Sequence, residues 1–176
     1  PDGTVTRAEF LKMAMDSFGI VGHAYRDSEC LDATNDDWYC YYLQGALDKN
    51  IIPKKMIENC NVTKVTKTLA EATDDKEAVT TDVNVYTGKF DGDKPITREE
   101  MAAIAVCCKN YVCKDEVGFL FKSPIIKDEA EIDEKYVNYV ILAYVFRYIN
   151  GMEDGRFAPK ENLTRAQAAV VMNNLK

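Results

Sequence analysis

A short phrase occurs three times in this chain, and each copy predicts the beginning of a helix. The copies read VTRAEF (Val5–Phe10), ITREEM (Ile96–Met101) and LTRAQA (Leu163–Ala168). Each has Thr followed three residues later by Glu or Gln, the pattern of a capping box that satisfies two exposed backbone groups reciprocally. Residues four, seven and eight positions after each Thr are mostly apolar and fall on one helical face. Three equivalent beginnings constrain the chain to a set of related helical units.

The repeat extends upstream of the phrase and includes a second helix. Gly-x-Phe stands nine residues before the Thr at Gly88–Phe90 and at Gly155–Phe157. The segment Tyr136–Ile149 is apolar nearly all round, which predicts a central, buried helix. An earlier segment matches it at equal spacing: Trp38, Leu43, Ala46 and Ile51 against Tyr136, Ile141, Tyr144 and Ile149.

One long insertion interrupts the second repeat. Residues 53–87 are rich in Thr, Asp, Lys and Val, and we expect this polar excursion to be exposed. Within it, Lys67–Val79 is predicted as a short helix and Thr80–Phe90 as an edge strand. We predict a single domain over residues 1–176, in which 1–24 end a first repeat, 25–115 form a second and 116–176 a third. The first copy lacks its Gly-x-Phe, so we expect a fragment of a longer protein.

Composition narrows the class of function. The net charge of −7 argues against nonspecific binding to nucleic acid, which requires a basic surface. The longest apolar run, Met101–Cys108, is too short for a membrane span. An even number of cysteines suits an exported protein with up to three disulfides, although buried thiols or a zinc site are alternatives. The six are Cys30, Cys40, Cys60, Cys107, Cys108 and Cys113.

No arrangement of residues predicts catalysis, a metal or a cofactor. His23 is the single histidine, and no nucleophile is tied to it by spacing. The acidic stretches Asp32–Asp37 and Asp128–Glu134 precede predicted helices, where acids favour the positive end of the helix dipole. We therefore interpret them as helix caps rather than calcium ligands, and the chain as noncatalytic.

The motif before the third helix resembles a known family. Gly151–Gln167 reads Gly-x-x-Asp-Gly-x-Phe-x-Pro-x-x-x-Leu-Thr-Arg-Ala-Gln, and this motif, with the aromatic helix before it, is similar to the S-layer homology repeat. The third copy resembles it closely, the second at both ends of its insertion, and the first only over 1–20. The resemblance implies an all-α, pseudo-threefold domain with helix pairs around a central helical bundle. The insertion could add short β-strands to it.

The same resemblance implies a function at the bacterial surface. Such repeats hold exported proteins on the cell wall by binding peptidoglycan-linked secondary polysaccharide, often capped by a pyruvylated sugar. Arg7, Arg98 and Arg165 would then lie in grooves between repeats. We therefore expect an extracellular domain of the cell wall or S-layer, with no nucleic-acid partner and no membrane span. The alternative is a structural or protein-interaction module that has lost glycan binding and serves self-assembly or a surface-protein partner.

The arginines need an explanation beyond helix capping. A cation in the first turn opposes the helix dipole and costs a few tenths of a kcal/mol. A bound anion would reverse that sign, because backbone N–H groups, the dipole and a guanidinium would all face one carboxylate. The alternative is that each arginine pairs with an acidic residue of the next repeat. We expect ligand contact, since arginine favours bidentate carboxylate recognition.

Five further residues are candidate glycan contacts. Asn150 and Asp154 can hydrogen-bond sugar hydroxyls but are also common turn formers. Gly151 and Gly155 would let a sugar approach bare backbone, or only satisfy turn geometry. Trp38 can stack on a sugar ring, although its helical position favours the core.

Overall fold

The described part of the chain contains five α-helices and one antiparallel hairpin. The computed structural model describes residues 2–23, 30–34, 36–70, 78–113 and 126–175. The elements in chain order are α1 (Arg7–Ser17), α2 (Cys40–Asp48), β1 (Glu58–Ala70), β2 (Val79–Lys89), α3 (Arg98–Cys113), α4 (Val137–Val145) and α5 (Arg165–Leu175). Helix α1 contacts α2, α3 and α5, and α4 packs against α3.

The hairpin makes the predicted all-α fold class wrong. The structure is 42% helical and 21% strand, so the fold is mixed. β1 and β2 are 13 and 11 residues long and are rich in Thr and Val, a composition that favours strands. The expected edge strand is confirmed as β2. The short helix predicted over Lys67–Val79 is wrong at both ends, because Lys67–Ala70 belong to β1 and Val79 begins β2. Residues 71–77 lie outside the described part.

A closed ring of backbone hydrogen bonds joins the three segments that precede α1, α3 and α5. Val5 N donates to Leu163 O, Leu163 N donates to Ile96 O, and Ile96 N donates to Val5 O, each at 2.9 Å. All three residues are buried in the hydrophobic core. Buried backbone groups must find partners, so this ring satisfies them and fixes the three helix beginnings relative to one another.

The three helix beginnings are capped as the sequence predicts. Thr6 and Glu9 form a reciprocal capping box at α1. The same pair of bonds links Thr97 with Glu100 and Thr164 with Gln167. Each first-turn arginine also donates its backbone N–H to another part of the chain: Arg7 to Lys94 O, Arg98 to Glu161 O and Arg165 to Gly3 O.

The second pair of helices matches at a register one residue away from the predicted one. Tyr39 and Tyr136 are the N-terminal caps of α2 and α4, and both are buried. Leu43 and Ala46 therefore correspond to Val140 and Ala143, and all four are fully buried. Trp38, expected in the core, precedes the cap and is half exposed. The alignment on Trp38 was wrong because the aromatic residue that packs inside is its neighbour.

Helix α4 is less buried than its composition suggests. Only Val140 and Ala143 within it are buried, whereas Val145 and Phe146 at its end are exposed. The prediction of a central helix buried on all sides is therefore wrong. Burial is confined to the side of α4 that packs inward, where it contacts α3.

Two aspartates predicted as helix caps have a different role. Asp128 accepts hydrogen bonds from Phe157 N and Ala158 N, both at 2.7 Å. Asp32 accepts in the same way from Phe90 N and Asp91 N, both at 2.8 Å. Each carboxylate thus holds the Gly-x-Phe loop that follows it, and neither α2 nor α4 has a side-chain cap.

The hairpin is attached to the helices through Asp48 at the end of α2. The Asp48 carboxylate accepts from Tyr86 Oη at 2.8 Å and from Asn84 Nδ2 at 3.2 Å, and it contacts His23 Nε2 at 2.7 Å. Burial alone would raise the pKa of Asp48, but the hydrogen bonds from Tyr86 and His23 outweigh burial and lower it.

No helix in the described ranges is long and apolar enough to cross a membrane.

We predict that Asp128→Ala destabilises the protein by about 3 kcal/mol, because two buried backbone N–H groups lose their acceptor. Asp32→Ala is the matched control: the geometry is the same but Asp32 is exposed, so water can replace it and we expect about 1 kcal/mol or less. Urea unfolding of both variants measures the difference. Equal losses for the two would contradict the role assigned to burial.

Candidate functional site

The three predicted arginines lie at equivalent helix beginnings but in different surroundings. Arg7 and Arg98 are 6% and 5% exposed, whereas the side chain of Arg165 is 61% exposed. Arg7 Nη1 donates to Phe90 O, and Arg98 Nε donates to Phe157 O at 2.7 Å. Each of these guanidinium groups also lies over the ring of the same phenylalanine. Two arginines therefore hold the Gly-x-Phe loops, a structural role that the sequence analysis did not assign.

Arg7 is fully paired. Its Nε donates to Glu100 Oε2 at 3.1 Å and its Nη2 donates to Glu100 Oε1. Burial alone would lower the pKa of Arg7, but the hydrogen bonds to Glu100 outweigh it and raise the pKa. Burial would likewise raise the pKa of Glu100, and Arg7 lowers it instead. The pair neutralises both charges in a site where an unpaired ion would be costly.

Arg165 has a looser pair at the surface. Its Nη1 donates to Glu9 Oε1 at 3.3 Å, and both side chains are at least one third exposed. Such an exposed pair contributes little to stability, because water screens it.

Arg98 has no carboxylate partner within ion-pair distance among the described residues. Besides Phe157 O, its guanidinium donates from Nη2 to Asn150 O at 3.0 Å. Burial lowers the pKa of Arg98, opposed by the more distant charges of Glu161 and Asp128. The carboxylate of Asp128 is already occupied by two backbone N–H groups. Arg98 is therefore a buried cation whose charge no adjacent group in the described ranges neutralises.

A cleft of about 190 Å³ opens at Arg98 between the loop after α4 and the outer side of α5. We call it the Arg98 cleft. It brings together three of the predicted site residues, Arg98, Asn150 and Gly151. A Cβ on Gly151 would lie 2.9 Å from the Tyr144 ring, so glycine is required there by packing. The full lining is Arg98, Ile149, Asn150, Gly151, Met152, Gln167, Val170, Val171 and Asn174.

The other predicted contacts lie outside the Arg98 cleft. Asp154 binds Arg156 through both its carboxylate oxygens, at 3.0 Å to the backbone N and 2.7 Å to Nε. Gly155 has φ +87°, a conformation that favours glycine, and its α-carbon faces Lys127. Trp38 packs edge-to-face on Tyr39 and exposes the rest of its ring.

A second cleft, about 270 Å³ in volume, is lined by five cations. We call it the lysine cleft. Arg7 lies beside it, and Lys89 is paired with Asp91 at 2.8 Å. The cationic lining is Arg7, Lys55, Lys89, Lys94 and Lys135, accompanied by Glu58 and Asp91. The sequence analysis missed this cleft because its lysines come from separate segments and the chain as a whole is acidic.

Neither the cysteines nor the acidic residues form an evident reactive centre. No disulfide joins the six cysteines, all of which belong to the described ranges. Burial raises the pKa of the Cys107 thiol to about 12, which disfavours the nucleophilic thiolate. In the described part of the chain, no three His, Cys, Asp or Glu residues converge as metal ligands would.

One part of this chain matches a known family. Residues 125–169 match the S-layer homology domain. The match indicates a role in attachment at the cell surface.

Three enzymes are similar over nearly the whole chain. An endoglucanase from Bacillus sp. (strain KSM-635) is 27% identical over 99% of this chain, which spans 15% of that enzyme. An amylopullulanase from Thermoanaerobacterium thermosulfurigenes and the exoglucanase XynX from Acetivibrio thermocellus are each 29% identical over 99% of this chain. The chain spans 8% and 13% of their lengths. The names of these relatives describe much longer proteins and therefore assign no reaction to this chain.

We predict that Glu100→Gln lowers the free energy of unfolding by about 3 kcal/mol at neutral pH, because Arg7 remains buried without its counter-charge. Gln retains the capping bond, as Gln167 shows. The pKa of Glu100 is lowered by folding, so its contribution is complete above the ordinary value of 4.5 and disappears as pH falls through the lowered value. The gap between variant and wild type should therefore close in acid. Denaturant unfolding from pH 7 to pH 3 measures it.

The matched control is Glu9→Gln, which removes the equivalent carboxylate from the exposed pair with Arg165. We expect a loss below about 1 kcal/mol. If Glu9→Gln and Glu100→Gln destabilise equally, burial does not distinguish the two pairs.

Proposed function

We propose that this chain is a noncatalytic cell-wall attachment domain that binds an anionic wall polysaccharide, with the Arg98 cleft as its principal contact. The domain comprises three S-layer homology repeats: the end of a first over residues 1–24, a second over 25–115 with its insertion at 53–87, and a third over 116–176. The chain is exported and resides at the cell wall or S-layer.

The observation that carries this proposal is the unneutralised charge of Arg98. Removing a cation from water is expensive unless an anion compensates, and Arg7, in equivalent surroundings, has Glu100 as its compensating anion. At Arg98 the compensating group is supplied by a ligand that enters from the cleft. A pyruvate ketal on a wall sugar presents a carboxylate of the required kind.

The remainder of the Arg98 cleft suits a sugar. The exposed side chain of Asn150 offers an amide for hydroxyl groups. Val170 supplies apolar surface at the rim for the C–H face of a ring. Gly151 contributes bare backbone beside Arg98.

The lysine cleft supports the same function at a second position. Arg7 and Lys89 are paired with Glu100 and Asp91, and the three remaining lysines, set against Glu58, give this cleft an excess of positive charge on a chain of net charge −7, which attracts an acidic polymer. A polysaccharide long enough to reach both clefts gains affinity by effective concentration. Arg7 lines the lysine cleft with its charge balanced by Glu100. Trp38 is exposed for a further contact, Arg165 is occupied by Glu9, and Asp154 and Gly155 shape the loop between α4 and α5.

A protein-interaction module is the second candidate, and the exposed hairpin favours it. Val62 and Val65 of β1 are both about 40% exposed, an unusual position for two valines on one strand. Replacing Val62 and Val65 with Thr removes this exposed apolar surface and leaves the strand and buried Val83 and Tyr86 in place. Loss of partner binding with glycan binding intact would favour this candidate.

We predict opposite effects from two substitutions at one exposed position of the Arg98 cleft. Val170 is 55% exposed, so neither Val170→Asp nor Val170→Lys disturbs the core. The aspartate should weaken binding to wall polysaccharide about tenfold by repelling its acidic groups, and the lysine should strengthen it several-fold. Co-sedimentation with sacculi that retain their polysaccharide measures both, and sacculi stripped of polysaccharide give the background.

Val62→Asp is the control, because it adds the same charge at an exposed position away from both clefts. It should leave sedimentation unchanged. If wild type sediments equally with stripped sacculi, or if the two Val170 variants behave alike, the chain does not bind anionic glycan at this cleft.

A further inference from the structure

We propose that Gln167, because it is not a glutamate, leaves Arg98 free to bind a carboxylate on the ligand. Of the three equivalent arginines, Arg7 and Arg165 are each paired with a glutamate of the protein, and we call their positions closed; the Arg98 position is open. This inference rests on the proposed function and adds to it the residue that determines specificity and the chemical group that is recognised.

The three arginines and the three capping boxes are connected in a cycle. The third residue of each capping box is Glu9 in α1, Glu100 in α3 and Gln167 in α5. Arg165 pairs with Glu9, and Arg7 pairs with Glu100. The arginine of α5 thus pairs with α1, and the arginine of α1 pairs with α3. The arginine of α3, Arg98, should then meet the capping residue of α5, and Gln167 does line the Arg98 cleft. The cycle therefore has two closed positions and one open one.

A glutamate closes its position because it has two acceptor oxygens. Glu100 Oε2 accepts from Thr97 N at 3.1 Å, and Oε1 accepts from Arg7 Nη2. Glu9 divides its oxygens in the same way: Oε2 accepts from Thr6 N at 3.0 Å and Oε1 from Arg165 Nη1 at 3.3 Å. In both residues one oxygen caps the helix and the other binds the arginine of the neighbouring unit, and in Glu100 the capping oxygen also accepts from Arg7 Nε at 3.1 Å.

A glutamine can cap the helix, but it has one acceptor oxygen where glutamate has two and carries no negative charge to neutralise an arginine. Gln167 Oε1 accepts from Thr164 N at 3.0 Å, so the cap is intact. Its other polar atom, Nε2, is a donor and cannot accept a hydrogen bond from a guanidinium. The substitution of an amide for a carboxylate thus leaves helix α5 capped and Arg98 without its anion.

The open position retains donors that face solvent. Arg98 Nη1 has no hydrogen-bond partner among the described residues. In those ranges, Tyr136 Oη is the one fully buried side-chain polar atom without a hydrogen-bond partner. Arg98 Nη1, which also lacks a partner, is therefore not fully buried and reaches solvent. Arg98 Nη1 and Gln167 Nε2 are therefore two unsatisfied donors at one cleft, an arrangement that binds an acceptor with negative charge.

The protein itself indicates which anion fits. At the two equivalent positions the occupant is a carboxylate, supplied by Glu100 and by Glu9. A ligand carboxylate at Arg98 reproduces that contact with the same planar geometry and charge. We therefore assign the cleft to a sugar that carries a carboxylate rather than to a neutral sugar.

The decisive variant is Gln167→Glu, which closes the third position with the group found at the other two. The probe is polysaccharide released from sacculi, used as isolated and after chemical reduction of its carboxylates to alcohols. Wild type should bind the carboxylated form at least tenfold more tightly than the reduced form. Gln167→Glu should bind the carboxylated form about tenfold more weakly than wild type does, and the reduced form with unchanged affinity. Its Tm should rise by about 3 °C, because Arg98 gains an internal partner.

Asn138→Asp is the matched control, since it adds the same charge at an exposed position on α4 outside both clefts. It should leave the affinity unchanged and raise the Tm by less than Gln167→Glu does, because both variants place an acid in the first turn of a helix but only Gln167→Glu supplies a carboxylate at the Arg98 cleft. The inference is overturned if Gln167→Glu keeps the wild-type affinity for carboxylated polysaccharide. Equal binding of the two polysaccharide forms by wild type overturns it as well.

A second measurement separates this inference from the proposed function. Acetate, added at constant ionic strength against chloride, should raise the Tm of wild type and have no effect on Gln167→Glu. If wild type responds to acetate but binds no wall polysaccharide, the proposed function fails and the role of Gln167 stands. If acetate affects wild type and Gln167→Glu equally, the role of Gln167 fails whatever the polysaccharide does.

Discussion

The ring of hydrogen bonds among Val5, Ile96 and Leu163 is the constraint on which the rest of this structure depends. It brings together three segments separated by more than 60 residues each and fixes the starting points of α1, α3 and α5. Because every residue in the ring both donates and accepts, no member can shift without leaving a buried backbone group unsatisfied. The loops held by Asp32 and Asp128, and the clefts beside them, take their positions from this arrangement.

The arginines show how one residue type serves both structure and recognition. Arg7 and Arg98 each donate to the carbonyl of a phenylalanine, Phe90 and Phe157 respectively, and each lies over the ring of that phenylalanine. They differ in whether the protein supplies the counter-charge. The guanidinium that Glu100 neutralises has a structural role, whereas the one that shares a cleft with the amide of Gln167 is left without a counter-charge. The difference between the two positions is a single side-chain atom.

The local features of this fold were predictable from sequence, and the long-range pairings were not. The capping boxes were predictable because the bonds of Thr6, Thr97 and Thr164 reach only three residues along the chain. The pairing of Arg7 with Glu100 was not, since it spans 93 residues and depends on the ring. Trp38 was misplaced because two adjacent aromatic residues leave the helical register ambiguous by one position. The length of the hairpin was underestimated, and the lysine cleft was missed, because composition does not show which distant segments meet.

The hairpin leaves and rejoins the helical part of the molecule at one place. Glu58 pairs with Lys89, and Gly88 lies so close to Glu58 O that a side chain could not fit. Residues 61–68 and 78–82 of the hairpin are exposed or half-buried. The chain can therefore lengthen or shorten there without disturbing the helix beginnings. This exposed part of the hairpin is a natural insertion point, because an epitope or an enzyme grafted there would leave the three helix beginnings and both clefts intact.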